Sequence, residues 1–160
     1  MTQLLVMLAA LAMLPWSGPS VFAEPISDRL TTADVYIALQ AAEVKANQIG
    51  VPMGITVTDA HGDVRGFLKM DGTFVHVQDT SFSKAYTAVS LRQPTGALPP
   101  SVANELGSIT QGRLTNLKGG IPIAVDGVII GGVGVGGGIG NEDEVVARAG
   151  AEAVVKKKKR

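Results

Sequence analysis

The chain has 160 residues, no cysteine and a formal net charge of zero, from 14 Lys and Arg residues against 14 Asp and Glu residues. The length fits a single domain, and the absence of cysteine excludes disulfide bonds and thiolate chemistry. Five of the positive charges form the last five residues; because this single basic run has no interleaved aromatic residues, we expect no nucleic-acid partner.

Residues 1–23 predict a secretion signal peptide. They contain no charged side chain, are apolar over residues 4–14 and end in Ala23, a small residue of the kind that precedes a signal cleavage site. The apolar run is shorter than the roughly 20 residues that a stable transmembrane helix needs. We therefore expect a periplasmic or secreted protein without stable membrane insertion, with one domain over residues 24–155 and a basic tail over residues 156–160.

The first half of the domain predicts a helix, a strand hairpin and a second helix. A capping-box pattern begins a helix over residues 31–49, whose apolar residues repeat at helical spacing. Residues 55–58 alternate as a strand, and residues 64–70 return beside it after a polar turn. A second helix follows over residues 80–92, and its predicted buried stripe consists of Phe82, Ala85, Tyr86 and Val89.

The second half has mixed signals, followed by another hairpin and a last helix. A Pro-Pro pair opens a short helix over residues 101–106, and residues 111–114 predict a weak strand. Residues 121–130 predict a hairpin with a type I′ turn at Asp126-Gly127. The last helix begins at Asn141, and the residues that it is predicted to bury are Val145, Val146, Ala149 and Ala153. This order of elements predicts an α+β fold around an antiparallel sheet.

Half of the 20 glycines lie in residues 119–140, where the backbone is expected to approach a ligand or another part of the protein closely. Gly132, Gly134 and Gly137 have the spacing of a dinucleotide-binding fingerprint. That fingerprint needs a further strand with an acidic residue about 20 positions on, whereas only one helix and the tail remain here. We therefore expect no nucleotide cofactor, and the alternative to a ligand is a glycine-rich strand and turn.

Five ordered sequence blocks resemble the GlcG/HbpS family. The blocks are Val57-Thr58-Asp59-x-x-Gly62, Lys69-Met70-Asp71-Gly72, Lys84-Ala85-Tyr86-Thr87-Ala88, Gly119-Gly120-Ile121-Pro122, and the run from Gly131 to Gly138 that leads to Asp143-Glu144. The family includes extracellular haem-binding proteins, glycolate-operon proteins and the C-terminal domain of a corrinoid adenosyltransferase. The resemblance implies an antiparallel five-stranded sheet flanked by helices, in a profilin-like α-β-β-α-β-β-α order, assembled into homo-oligomers. Two positions depart from the family pattern: Lys69 stands where arginine is usual, and Gly136 where serine is common.

His76 is the best candidate for a ligand to haem iron. A neutral imidazole can bind the iron of haem or the cobalt of a corrinoid, and the residues on both sides of His76 are apolar. The alternative for His76 is a partly buried structural residue. His61 lies in a polar turn and is interpreted as exposed, and Met53 and Met70 are further possible ligands that more simply fill gaps in the core.

Cationic side chains and glycines complete the predicted cofactor-binding site. Cations can pair with a carboxylate, whether a haem propionate or a small organic acid. The candidate cations are Lys84, Lys69, Arg92 and Arg113. Lys84 ranks first because it lies in a family block, and a solvated surface charge is the alternative for each. The glycines predicted to leave room for a flat ligand or a neighbouring subunit are Gly134, Gly136 and Gly137.

Together these residues predict an exported homo-oligomer that binds haem or a related tetrapyrrole. Two alternatives stay open. In the first, the protein is an enzyme for a hydroxy acid or ring-cleavage product, in which Lys84 or His76 moves protons and the amides of residues 134–138 stabilise an oxyanion. In the second, it is an accessory subunit of a catabolic pathway.

Overall fold

A computed structural model describes residues 29–139 and 141–160, so the predicted signal peptide, residues 1–23, lies outside the described residues. The elements of this part of the chain are α1 (Thr32–Ile49), β1 (Gly54–Asp59), β2 (Val64–Lys69), α2 (Val77–Leu91), α3 (Pro100–Ile109), β3 (Gly120–Val125), β4 (Val128–Gly136) and α4 (Glu142–Lys158). Among them, no helix is both long enough and apolar enough to cross a membrane.

The four strands form one antiparallel sheet in the order β2-β1-β4-β3. The predicted α+β class is confirmed, and the two predicted hairpins are β1–β2 and β3–β4. Between β3 and β4, Asp126 and Gly127 have φ angles of +50° and +84°, the pair of positive angles that a type I′ turn needs. Pro122 lies on the edge strand β3, where the missing N–H of proline is tolerated.

The fold differs from the prediction in strand number and element order. The sheet has four strands among the described residues and not five, and α3 gives the order α-β-β-α-α-β-β-α. The weak strand predicted over residues 111–114 is absent because Gln111 and Gly112 have left-handed φ angles of +54° and +81°. These angles turn the chain at the end of α3, where Gly112 N donates a 2.8 Å hydrogen bond to Gly107 O.

The two faces of the sheet differ because successive residues of a strand point to opposite faces. One face joins the core beneath α1 and α4 and carries Ile55, Val57, Ile123, Val133 and Val135. The opposite face lies under α2 and carries the small residues Thr56, Gly120, Gly132, Gly134 and Gly136. The glycine-rich face therefore gives α2 an unusually close approach to the sheet.

The backbones of β4 and α2 touch directly. A Cβ atom on Gly134 would overlap Ser81 O and Ala85 N, and a Cβ atom on Gly132 would lie 2.9 Å from the side chain of Val89. The φ angles of these two glycines lie outside the left-handed region. Glycine is therefore required at these two positions because α2 leaves no room for a side chain, and not because the backbone has a special conformation.

The buried faces of the helices differ from the predicted stripes. In α2, Ala85 and Val89 are buried as predicted, but Phe82 and Tyr86 are half-buried. The buried residues of α4 are Asp143, Val146, Ala147, Gly150, Ala151 and Val154. Gly150 fixes this face, because a Cβ atom there would lie 2.8 Å from Ala38 O in α1. Val145, predicted to be buried, consequently points outward and is 43% exposed.

Asp34 joins the two ends of the domain. Thr31 and Asp34 form the predicted capping box at the start of α1, and Asp34 is fully buried. At the end of α4, Lys157 and Lys158 place their Nζ atoms 2.7 and 3.1 Å from its carboxylate oxygens. Burial raises the pKa of this carboxyl, but hydrogen bonds from Lys157, Thr31 and Lys158 lower it from 3.8 to about 2. The first residues of the predicted basic tail, residues 156–160, therefore belong to the last turn of α4, where two of its lysines hold the buried Asp34 carboxylate.

Asp34→Asn is expected to lower the free energy of unfolding at neutral pH by about 2 kcal/mol, because one unit of pKa difference corresponds to about 1.4 kcal/mol. Since the folded pKa is the lower one, this stabilisation is complete above the unfolded pKa of 3.8 and is lost as the pH falls toward 2. Denaturant unfolding from acid to neutral pH measures both effects. Asp63→Asn, at an exposed turn carboxylate, is the control, and an unchanged acid-unfolding curve for Asp34→Asn would contradict the assignment.

Gly134→Ala is expected to destabilise the protein by about 3 kcal/mol or more, because the new methyl group can be accommodated only if α2 moves off the sheet. Gly107→Ala in the exposed helix α3 is the matched control, since its Cβ would meet only Leu114 O at 3.3 Å. We expect the control to be neutral or slightly stabilising. Equal unfolding midpoints for the two variants in a denaturant titration would refute the proposed backbone contact.

Candidate functional site

A half-open pocket of about 360 Å³ lies beside the end of β4. The start of α2, the segment before β3 and the turn between β4 and α4 enclose it. The volume is at the lower end of the roughly 300–1,000 Å³ that is usual for small-molecule sites. Its lining falls into three parts, which are a charged floor, a wall formed by residues 137–139 and a rim of exposed side chains.

The floor of the pocket is a buried ion pair. Lys84 Nζ lies 2.6 Å from Asp143 Oδ2, and both side chains are at most 8% exposed. The same ammonium group donates to Val135 O at 2.8 Å, and Asp143 Oδ1 accepts the amide hydrogen of Gly138 at 2.8 Å. The pair therefore connects α2, β4 and α4 at one point. Lys84, the first-ranked candidate cation, is consequently buried and paired, not solvated.

The wall of the pocket has little free hydrogen-bonding capacity in its backbone amides. Gly138 N donates to Asp143 and Ile139 N donates to Glu142, each at 2.8 Å. Carboxylates from the first turn of α4 thus occupy the donors that a phosphate cradle or an oxyanion hole would need. This arrangement agrees with the rejection of the dinucleotide fingerprint, and it removes the Gly138 amide from the predicted oxyanion role.

The rim combines one imidazole, apolar side chains and a lysine. His76 immediately precedes α2, is exposed, and stacks on Phe74 with ring centroids 5.5 Å apart. The apolar rim residues Phe74, Leu117 and Ile139 are 60%, 56% and 87% exposed. Lys118 Nζ lies 3.1 Å from Asn141 Oδ1 at the start of α4. A ligand in this pocket would therefore meet an apolar surface, a nitrogen donor and a cation.

The structure brings together only part of the predicted site. The predicted residues that line the pocket are His76, Lys84 and Gly137. The predicted residues that lie elsewhere are Lys69, Arg92, Arg113, Gly134 and Gly136. Lys69 ends the edge strand β2 and Arg92 caps the far end of α2, and both are exposed. Gly134 and Gly136 are buried against α2, which gives them a packing role instead of a place in the pocket.

The other candidate metal ligands lie away from the pocket. The side chain of His61 is 88% exposed at the β1–β2 turn, as predicted. Met53 is fully buried in the core, and its amide donates to the sulfur of Met70 at 3.3 Å. Within residues 29–139 and 141–160, no group of three or more His, Cys, Asp or Glu side chains could hold a metal ion.

Sequence reasoning missed Leu117, Lys118 and Ile139. Their signal is weak because they lie in short connecting segments, where no periodicity separates buried from exposed positions. Lys118 directly precedes the Gly119-Gly120 block, and Ile139 is an isolated apolar residue within the glycine run. The hint that the sequence offers is an apolar residue in a predicted loop, because such a residue belongs to no strand or helix that would bury it.

The fold and the pocket define an α+β domain with a cavity of small-molecule size beside its antiparallel sheet. The family described as haem degrading protein HbpS-like matches residues 30–152 of the chain, and the chain belongs to this family. The resemblance to the GlcG/HbpS family read from the sequence is thereby confirmed. The match covers the four strands, all of α2 and α4 as far as residue 152.

Three similar proteins illustrate the family. The uncharacterised 15.0 kDa protein in the dhaT-dhaS intergenic region of Citrobacter freundii is 37% identical over 123 residues, which cover 74% of this chain and 87% of the relative. The crystal structure of a PduOC–haem complex has a TM-score of 0.72 at 29% identity and covers 78% of this chain and 94% of its own. The crystal structure of a double mutant of Streptomyces reticuli HbpS has a TM-score of 0.71 at 30% identity and covers 88% of this chain and 97% of its own.

Lys84→Met is expected to lower the free energy of unfolding by about 3–5 kcal/mol, because it leaves the buried Asp143 carboxylate without its counter-charge. The double variant Lys84→Met/Asp143→Leu is expected to lose less than the sum of the two single losses. Denaturant unfolding of the complete double-mutant cycle measures the coupling. Arg148→Met, which breaks an exposed pair with Glu144, is the control and is expected to cost less than about 1 kcal/mol. Additive losses would contradict the buried pair.

Proposed function

We propose that this protein is an exported homo-oligomer that binds haem or a related tetrapyrrole in the pocket between α2, β4 and α4. The observation that carries the proposal is the rim, where an imidazole, three exposed apolar side chains and an ammonium group surround one opening. Haem has matching features, namely a flat apolar macrocycle, a central iron and carboxylate arms. The haem complex of PduOC, a relative with a similar structure, supports the proposal.

His76 supplies the donor for iron. Its ring lies nearly parallel to Phe74, at an interplanar angle of 16°, so the aromatic contact uses the face of the imidazole. In a neutral imidazole the unprotonated nitrogen directs its lone pair in the ring plane. In the described part of the chain neither ring nitrogen has a hydrogen-bond partner. A bound haem would supply the iron centre, for which neutral imidazole is a common protein ligand. The donor set of the pocket therefore fits the group.

The apolar rim also supports self-association. Val75, next to the rim residue Phe74, is 87% exposed, so large apolar side chains are concentrated around the opening. Exposed apolar patches of this kind mark ligand sites and protein interfaces. We infer that the pocket lies at or near a contact between copies of the chain, where the second copy covers the outer face of the ligand. The export part of the proposal rests on residues 1–23.

The acid–base enzyme has less support. Lys84 Nζ donates to Asp143 and to Val135 O, so this group is already engaged in buried contacts within the protein. The amides of Gly138 and Ile139 are bonded to carboxylates of α4, so they do not offer an oxyanion hole. Among the proposed catalytic groups, only the His76 side chain is unpaired within the described residues. Binding requires only the groups that the rim presents.

Titration of the purified protein with haemin tests the proposal. We expect a shifted Soret band with saturable binding, and we expect His76→Ala to weaken binding by about tenfold or more, equivalent to about 1.4 kcal/mol. His61→Ala is the matched control, because it removes the other histidine of the chain from an exposed turn outside the pocket. The absence of any spectral change with micromolar haemin would refute haem binding, and equal affinities for both histidine variants would refute the role of His76.

A further inference from the structure

Within the residues that the structure describes, the pocket carries one positive charge that forms no ion pair. Lys84 and Asp143 neutralise each other on the floor at an N···O distance of 2.6 Å. Lys118, on the rim, has no ion-pair partner within residues 29–139 and 141–160. Glu142 accepts a backbone amide hydrogen of the wall and does not itself line the pocket. With a neutral imidazole, the two lysines and one aspartate of the lining give a net charge of +1.

Lys118 is also held in position. Its Nζ atom donates to Asn141 Oδ1 at 3.1 Å, and the Asn141 side chain makes no capping hydrogen bond to α4. Because the tether is a neutral amide, it orients the ammonium group without cancelling its charge. Of the three hydrogens on Lys118 Nζ, the hydrogen bond to Asn141 uses one, and the other two have no partner in the described part of the chain.

We propose that Lys118, oriented by Asn141, is a carboxylate-binding subsite, so that the pocket selects tetrapyrroles with free acid side chains whether or not they contain a metal. This inference rests on the proposed function, because it assigns how the same pocket recognises its ligand. The three kinds of rim group then have separate tasks. The apolar side chains contact the macrocycle, His76 binds a metal when one is present, and Lys118 pairs with an acid arm.

The wall favours a carboxylate over a phosphate. The amides of Gly138 and Ile139 are already bonded to Asp143 and Glu142, so the start of α4 provides no cradle for a phosphate. A lysine acts as a point charge with rotatable donors, and this suits a single carboxylate at an open rim.

Three ligands separate the contribution of the acid arms from that of the metal: protoporphyrin IX, its dimethyl ester and haemin. Each is titrated into the purified full-length protein. Lys118→Met is expected to weaken the binding of protoporphyrin IX and haemin about fivefold, as for a partly exposed charge pair, and to leave the ester unchanged. His76→Ala is expected to weaken haemin binding and to leave metal-free protoporphyrin IX unchanged. Absorbance and porphyrin fluorescence measure the affinities.

Two further variants control for charge and fold. Lys118→Arg keeps the positive charge and is expected to restore most of the affinity, while Lys69→Met removes an exposed lysine outside the pocket and is expected to bind like the wild type. The subsite is refuted if haemin binds but the wild type binds protoporphyrin IX and its dimethyl ester with equal affinity. It is also refuted if Lys118→Met leaves the affinity for protoporphyrin IX unchanged. Failure of every tetrapyrrole to bind would instead refute the proposed function together with the subsite. Thermal unfolding confirms that each variant is folded. The comparison of protoporphyrin IX with its dimethyl ester uses the wild-type protein, so it does not depend on the folding of any variant.

Discussion

Where α2 crosses β4, the two backbones touch, with no strand side chain between them. This contact requires glycine at alternate positions of the strand, because a Cβ atom on Gly134 would overlap the backbone of α2 and one on Gly136 would overlap Thr80 Oγ1. The close approach fixes the height of α2 above the sheet and its position along β4. It thereby places His76, just before the helix, beside the turn that follows the strand. Gly134 and Gly136 thus organise the pocket without lining it.

The buried ion pair depends on the same close approach. Because α2 lies so near the sheet, the Lys84 side chain can reach Val135 O on β4 and Asp143 on α4. A buried pair of this kind contributes little net stability, because desolvation of both charges offsets most of their attraction. Its consequence is positional: Asp143 also accepts the Gly138 amide hydrogen, so one carboxylate fixes the helix start and the pocket wall together. We regard the floor as a part of the scaffold, which leaves ligand recognition to the rim.

The sequence was informative wherever one local rule decides the structure. The capping box at Thr31 and Asp34 and the positive-φ turn at Asp126 and Gly127 follow from chemistry within a few residues, and both are present. The role of Gly134 could not be derived in this way, since a missing side chain looks the same whether a ligand or a helix fills the space. Family blocks do not resolve this ambiguity, because close packing and ligand binding both restrict residue type.

The charged residues show a related limit of local reasoning. Lys84 and Asp143 are 59 positions apart, so only the fold reveals that they neutralise each other. Lys118 could be recognised as an uncompensated cation only after this pairing was known. The charge of a side chain can be read from the sequence, whereas the part of that charge available to a ligand depends on tertiary structure.

The division between scaffold and rim has a consequence for how ligands are selected on this fold. Gly134, Lys84 and Asp143 are enclosed by protein, so changes there disturb packing or leave a charge unpaired. Leu117, Lys118 and Ile139 are exposed, so changes there alter what the opening presents while removing few internal contacts. The same four-stranded scaffold can therefore tolerate different rims at little cost in stability. Under the proposed function, ligand preference follows from the side chains of the rim, and the architecture alone does not determine it.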